Sequence, residues 1–368
     1  MKISFLSEKL SEKLGFLNHA VSSRGQLPIL SNFLIEAKAG KLTISATDLE
    51  IGISTSISAN VEEEGRTTVP AKNFYDLLQN VRNQKITLST DGETLNLKGE
   101  NVKASFQTMP AEDFPRLYEE KGEEFIELEK PAAEKFFSRV VFAAAIDSAR
   151  PALSGVLIEE EKKQALIVAT DSYRLSLQKN VFKTKQELRK PLVVSSRIIR
   201  EMISIKEDDK LIKIFVSEKT NQVLFLQGQT VLVGRLIDAE YPEYQKIIPT
   251  EHNTKTEANR EDLLRAIRIA SVFARETANI IKLTIEKDKI IVSANSPSVG
   301  QDAVDLPAKT AGEENEIAFN AKYLLDILST LDTEDVVFEM TGPLNAGVFK
   351  IKEDNSFLHL IMPIRVQE

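Results

Sequence analysis

The sequence predicts an α+β protein of three similar domains, each with two helices over an antiparallel sheet. Internal repetition is the first observation. VPAKNFYDLL at 69–78, VSSRIIREMI at 194–203 and FNAKYLLDIL at 319–328 each lead from a β-rich run into a short helix, and Lys72, Arg197 and Lys322 recur at intervals of 125 residues. A second set agrees: LTISATDLE at 42–50 matches LIVATDSYR at 166–174, with Asp48 and Asp171 separated by 123, and IIVSANSP at 290–297 falls in register as the third copy. Three such repeats use the whole 368-residue chain. The expected domains are 1–119, 127–249 and 255–368, with linkers in the charged stretch 118–130 and the polar stretch 250–258.

Each repeat opens on a helix with an apolar stripe at helical spacing. The stripe is Leu10, Leu14, Leu17 and Val21 in the first, and Phe136, Phe137, Val140, Val141 and Ala144 in the second. In the third it is Leu263, Leu264, Ile267, Ala270 and Ser271. Short alternating strands follow, broken by turn signals such as Asp91-Gly92. The second helix of each repeat then leads into more strands. A repeat of this length is a whole domain, too long for a solenoid unit. Three such domains end to end form an arc, and dimerising an arc is one way to close a ring.

Composition narrows the function classes. The chain is 42% hydrophobic and 28% charged, enough apolar material for real cores and too little charge bias for disorder. It has no cysteine, which excludes disulfides, thiolate catalysis and cysteine-held metals. The start MKISFLSEKLSEKL carries no apolar signal core, and no run is long enough to span a bilayer. A cytoplasmic location is expected. His19, His252 and His359 are isolated and lack zinc spacing, reading as helix-surface, linker and strand residues. No phosphate-binding loop is present, and no cofactor or metal is expected. Asp48 and Asp171 read as turn residues bonding local N–H groups; the competing reading is a pair of metal-binding carboxylates.

A net charge of −8 argues against a polyanionic partner only if the bases are dispersed. Lys72, Arg197 and Lys322 sit at the start of each second helix, with Asp76, Glu201 and Asp326 four residues on. That order opposes the helix dipole and is the weaker orientation for a helix pair. A polyanion facing these bases explains it; a solvated helix start copied by duplication is the alternative. Further bases lie at helical spacing: Lys135 with Arg139, Arg197 with Arg200, Arg265 with Arg268, and Lys9 with Lys13 beside Glu8 and Glu12. Helices turned inward and sheets outward would give a basic lining inside an acidic exterior.

These motifs carry a resemblance. QLPILSNFLIEA at 26–37, SATDLEI at 45–51, TTVPAKNFYDLL at 67–78 and QTMPAEDFPRL at 107–117 resemble the first domain of the bacterial DNA polymerase III beta subunit, the sliding clamp family. VATDSYRLSL at 168–177, GRLIDAEYPEYQKIIP at 234–249, FNAKYLLDIL at 319–328 and HLIMPIRV at 359–366 resemble its second and third domains, in the family's order. The resemblance implies a head-to-tail homodimer closed into a ring around double-stranded DNA, with helices lining the hole. It implies a non-catalytic processivity factor that tethers the replicative polymerase, the clamp loader and repair proteins.

Carried over by position, the DNA contacts are Arg24, Arg150 and Arg197, which join the helix bases Lys72, Arg200 and Lys322. The partner-peptide pocket comprises Leu153, Thr170, Ser172, Tyr173, Arg174 and Leu175, then Pro242, Lys246 and Ile247. The third domain supplies Leu344, Ala346, Leu360, Ile361, Met362, Pro363, Ile364 and Arg365. Alternation puts Leu360, Met362 and Ile364 on one side of an extended tail. Pro363 removes a donor, so the tail is expected at a sheet edge, with Arg174 and Arg365 at the pocket rim. Phe106 of one protomer is expected near Val272 and Phe273 of the other. The chain departs from the family at Ser172, where a glycine is usual, in the loop 147–152, and in Val366-Gln367-Glu368 past the usual end. The alternatives are a repeat-built protein-interaction scaffold that does not encircle DNA, and a metal-dependent enzyme using Asp48 and Asp171.

Overall fold

The computed structural model describes residues 1–22, 27–81, 83–146, 149–179, 182–185, 187–188 and 190–365. Arg24, the residues Asp147 and Ser148 of the variable loop, and the extension Val366-Gln367-Glu368 lie outside the described residues.

The first repeat runs β1 (Lys2–Leu6), α1 (Ser7–Leu17), β2 (Asn32–Lys38), β3 (Lys41–Thr47), β4 (Ile51–Ser58), β5 (Asn60–Glu63) and β6 (Gly65–Pro70), then α2 (Ala71–Asn80), β7 (Lys85–Asp91), β8 (Thr94–Lys98) and β9 (Lys103–Gln107). The second runs β10 (Glu123–Glu129), α3 (Lys130–Val141), β11 (Gly155–Glu161), β12 (Gln164–Thr170), β13 (Arg174–Gln178) and β14 (Leu192–Ser195), then α4 (Ser196–Ser204), β15 (Leu211–Ser217), β16 (Gln222–Gln227) and β17 (Thr230–Arg235). The third runs β18 (Thr254–Asn259), α5 (Arg260–Ala274), β19 (Ile280–Ile285), β20 (Lys289–Ser296), β21 (Gly300–Gly312) and β22 (Asn315–Asn320), then α6 (Ala321–Thr330), β23 (Asp335–Met340), β24 (Gly347–Ile351) and β25 (Asp354–Ile361). Among the described residues no helix is long and apolar enough to cross a membrane.

Two expected linkers are shorter than the sequence suggested. Charged residues 123–129 form β10, and residues 254–259 form β18. In β18 the alternate positions Thr254, Thr256 and Ala258 are buried, and in β10, whose register shifts between Glu124 and Ile126, Phe125, Ile126 and Leu128 are buried, while the charged residues of both strands are more exposed. Polarity had masked an ordinary half-buried strand.

The chain divides into two compact units, residues 1–131 with 201–236, and residues 132–200 with 237–368. The first holds a five-stranded sheet, β5-β1-β7-β8-β9, and an eight-stranded one, β10-β15-β16-β17-β4-β3-β2-β6. The second holds a twelve-stranded sheet, β14-β11-β12-β13-β25-β24-β23-β18-β21-β20-β19-β22. Repeats meet edge to edge, and both in-chain seams are the same. The last strand of one repeat pairs antiparallel with the strand after the preceding repeat's ATD turn: β17 with β4 (Gly234 opposite Ile51) and β25 with β13 (Ile361 opposite Arg174). Beneath, α5 and α6 bury Leu263, Ile267, Leu324 and Ile327 against the third repeat's sheet, and α1 and α2 bury Leu10, Leu14, Phe74 and Leu78.

This topology corrects the expected tail. β25 is an interior strand, flanked by β13 and β24, not a sheet edge. It ends at Ile361, fully buried, so Pro363 lies beyond the ladder and disturbs no pairing. Leu360, Met362 and Ile364 do not share a strand face.

Candidate functional site

The second unit's seam is organised by the ATD turn. The Thr170 hydroxyl donates to the Arg174 carbonyl (2.6 Å) and accepts from the Ser172 N–H (3.1 Å), while Asp171 Oδ1 accepts from the N–H groups of Tyr173 (2.9 Å) and Arg174 (3.0 Å). The first repeat copies this: Thr47 donates to the Ile51 carbonyl, and Asp48 Oδ1 accepts from Glu50 and Ile51 N–H. Both aspartates therefore serve their turns. Ser172 and Leu49 hold the left-handed position at φ +81° and +76°, which explains why a glycine suits it. Held this way, Tyr173 points outward at 64% exposure.

From Arg174 the chain enters β13, and β25 runs alongside. Beyond the last pair, the Met362 N–H donates to the Tyr173 carbonyl (2.8 Å), and the Ile364 N–H to the Ala318 carbonyl (2.8 Å). The Tyr173 and Met362 backbones thus lie together at the ladder's end. Leu175, Leu360, Val168 and Leu177 of this sheet form a buried floor together with Ala346, just before β24, and Tyr244 of the short turn 244–247, with Tyr241 and Ile248 against it. Leu153 and Thr170 are also buried.

Four large apolar side chains of the expected pocket stay in water: Tyr173, Leu344 (60%), Ile247 (48%) and Met362 (41%). Such residues, drawn from four chain segments whose neighbours Leu175, Ile248, Ala346 and Leu360 pack together in one apolar cluster, are the usual mark of a protein-binding surface. Ser172 and Pro242 are exposed beside them, and Pro363 and Ile364 are half-buried. Polar groups accompany them. Arg150 donates through Nη2 to the Ser172 hydroxyl (2.7 Å), Lys246 is paired with Glu243, and Arg365 is exposed. A separate cavity of about 620 Å³ opens where Leu166, Leu177, Tyr244 and Ile248 meet Glu159 and Lys190. It shares Leu177 and Tyr244 with the floor but none of the four exposed side chains.

Arg174 is not at the rim. Its side chain is 5% exposed and gives Nε to Asp171 (3.0 Å), Nη1 to Asp326 (2.6 Å) and Nη2 to the Phe142 carbonyl (2.9 Å), under the Tyr323 ring at 4.6 Å. With every guanidinium nitrogen engaged, it is a structural tie beside the turn that carries Tyr173. Arg139 is corrected likewise: expected on a basic surface, it is 3% exposed, donating to Asp332 (2.6 Å) and Gln178 (3.4 Å) over the Phe357 ring. Between the two arginines, His359 is fully buried with Nδ1 2.6 Å from the Ser176 hydroxyl. Burial, then the Arg174 charge, hold its pKa well below the ordinary histidine value.

Sequence reasoning missed Tyr323. It lies on α6, half-buried against Arg174, and burial followed by the Asp171 charge raises its pKa. Its one signal was an aromatic where the other second helices carry Asn73 and Ile198.

The remaining bases fall on the helices. Lys72 and Lys322 are exposed at the starts of α2 and α6, Arg197 is half-buried, and Arg200 anchors its guanidinium on Ser196 Oγ and the Val141 carbonyl (both 3.2 Å). Lys13 is committed to Glu207, Lys135 to Asp332 and Arg265 to Asp262. Phe106 lies on β9, an edge strand, with its ring edge-on to Phe74 at 5.8 Å. Val272 is 54% exposed, and Phe273 is half-buried against the third repeat's core. Among the described residues no cluster of His, Asp and Glu could hold a metal.

Three tandem α+β domains joined edge to edge, with an apolar surface over one seam, define the sliding-clamp class of repeat proteins. The family descriptions for the DNA polymerase III beta subunit match in order: the N-terminal domain at residues 1–118, the central domain at 127–243 and the C-terminal domain at 245–365. The beta sliding clamp of Synechococcus elongatus is 30% identical over 380 residues, covering all of both chains. Among solved structures, the sliding clamp of Bacillus subtilis superimposes with a TM-score of 0.94 at 26% identity, and that of Bartonella birtlesii, solved with griselimycin, with 0.91 at 26%. Both cover the whole of each chain. The chain belongs to the DNA polymerase III beta subunit family, the beta sliding clamps.

Proposed function

We propose that this clamp closes into a ring as a head-to-tail homodimer, encircles double-stranded DNA without catalysis, and tethers the replicative polymerase, the clamp loader and repair proteins through the Tyr173–Met362 surface. Its place of work is then the cytoplasm. The observation that carries the tethering role is the exposure of Tyr173, Ile247, Leu344 and Met362 over a buried floor. An aromatic, a methionine and two aliphatics suit a short apolar peptide, and a flexible thioether adapts to several partners. Lys246 and Arg365 would orient its polar or carboxylate groups.

The sheet edges support closure. Residues 300–306 of β21 pair with β20 on one side, and no strand lies on the other among the described residues. β9 is likewise a free edge. They correspond to β4 or β13 and to β17 or β25, the partners at both in-chain seams. Pairing β9 of one copy with β21 of another repeats that seam, covers two exposed edges and places Phe106 in the joint.

The bases of the second helices, with Arg150 in its loop, supply the DNA surface. Lys72, Arg150, Arg197, Arg200 and Lys322, with Arg24 outside the described residues, would meet phosphates only, giving sequence-independent, salt-sensitive contact compatible with sliding. The test of tethering is a fluorescence competition between clamp-contacting peptides of the polymerase and of the loader. One surface predicts mutual displacement at one peptide per protomer; two peptides bound together would rule it out.

A further inference from the structure

The acids that follow the helix bases are unexplained by DNA contact, and the in-chain seams show what two of them do. Asp76, Glu201 and Asp326 each lie five positions after the first residue of α2, α4 and α6. Glu201 Oε2 meets His19 Nδ1 at 2.7 Å, and His19 lies twelve positions after the start of α1, in the preceding repeat. Asp326 takes Arg174 Nη1 at 2.6 Å, and that guanidinium also binds the carbonyl of Phe142, twelve positions after the start of α3. In both seams the acid of the later repeat is thus bridged to the twelfth position of the earlier repeat's first helix, directly or through one arginine.

Asp76 has no earlier repeat in its own chain. It is exposed, and among the described residues its carboxylate has no ion-pair partner. The twelfth position after the start of α5 is Val272, the exposed residue of an apolar strip with Ile269 (43%). Arg275 follows one turn later, where α5 ends. It is exposed and also without an ion-pair partner among the described residues. We infer that Asp76 is half of a latch between protomers, closed by Arg275 of a second copy whose α5 lays Val272 against α2. This rests on the head-to-tail joint proposed above and names its electrostatic contact. The acid after each helix base is then a joint residue, and the repeated order of charges follows from one seam used three times.

A charge-swap cycle on the full-length protein tests it, read as the dimer dissociation constant by analytical ultracentrifugation. Asp76→Lys and Arg275→Glu should each weaken the dimer by about tenfold, because each change strikes both joints. The double variant should recover most of that loss, and rising salt should narrow the gap between wild type and either single variant. Single variants as tight as wild type, or a double variant whose losses simply add, overturn the latch. Val272→Ala with Phe273→Ala is the companion arm. If it weakens the dimer while the charge cycle is flat, the joint stands and the latch falls; if it also leaves the dimer intact, the head-to-tail joint itself is wrong.

Discussion

Ile361 and Met362 are adjacent, yet the structure gives them opposite work. Ile361 is fully buried, opposite Arg174 on one side and Gly347 on the other. Ile361→Ala removes three buried carbons from a sheet held on both flanks, where little can collapse into the gap. The expected cost is about 2–5 kcal/mol, lowering the transition by roughly 5–15 °C for a cooperative unit of about 150–250 residues. Met362 is 41% exposed, past the end of β25, and its backbone hydrogen bond to Tyr173 survives truncation of the side chain. Met362→Ala should cost at most about 1 kcal/mol of stability. As an anchor beside Tyr173, its loss should weaken peptide binding by about 2 kcal/mol, roughly thirtyfold. Calorimetric melting and fluorescence anisotropy with a labelled polymerase peptide measure the two effects separately. Equal destabilisation by both substitutions, or unchanged peptide affinity in Met362→Ala, would refute the division. Deleting residues 361–368 cannot separate the roles, because it removes the buried isoleucine with the exposed methionine.

Two further outcomes follow from the site. His359 is held neutral, so between its depressed folded value and the ordinary value near 6.5 the unfolded chain binds a proton that the folded chain does not. Stability is therefore complete above about pH 6.5 and falls as pH drops below it, by at most about 1.4 kcal/mol per pH unit; urea midpoints at pH 7.5 and 5.0 should show this, and His359→Gln should flatten it. Replacing the exposed Lys72 and Lys322 by glutamate should reduce retention on DNA and its salt dependence while leaving stability within about 0.5 kcal/mol; retention equal to the wild type's at both low and high salt would remove these residues from the DNA surface.

Much of the fold was legible because it was written three times. The 125-residue interval located α2, α4 and α6, and the ATD turns announced their own hydrogen bonds, which are local. The misreadings concern groups whose partners are distant. Arg174 and Arg139 read as surface bases because Asp326 and Asp332, which bury them, lie more than a hundred residues away. The neighbours of β25 are equally hidden, since β13 belongs to a different repeat and Pro363 looked decisive until the strand was seen to stop before it. Tyr323 escaped because its role depends on Arg174, whose position no local pattern reveals.

The central claim is topological, and the most direct measurement uses nicked circular DNA. Labelled clamp is loaded with the clamp loader and ATP, and the complex is isolated by gel filtration at moderate salt. The DNA is then cut once with a restriction enzyme. A ring held only by encirclement stays with the circle and runs off the linear product within minutes, while a mock-treated circle keeps it. Equal retention on cut and uncut DNA, or equal binding to the circle without the loader, would show that the protein grips DNA directly and would contradict the account.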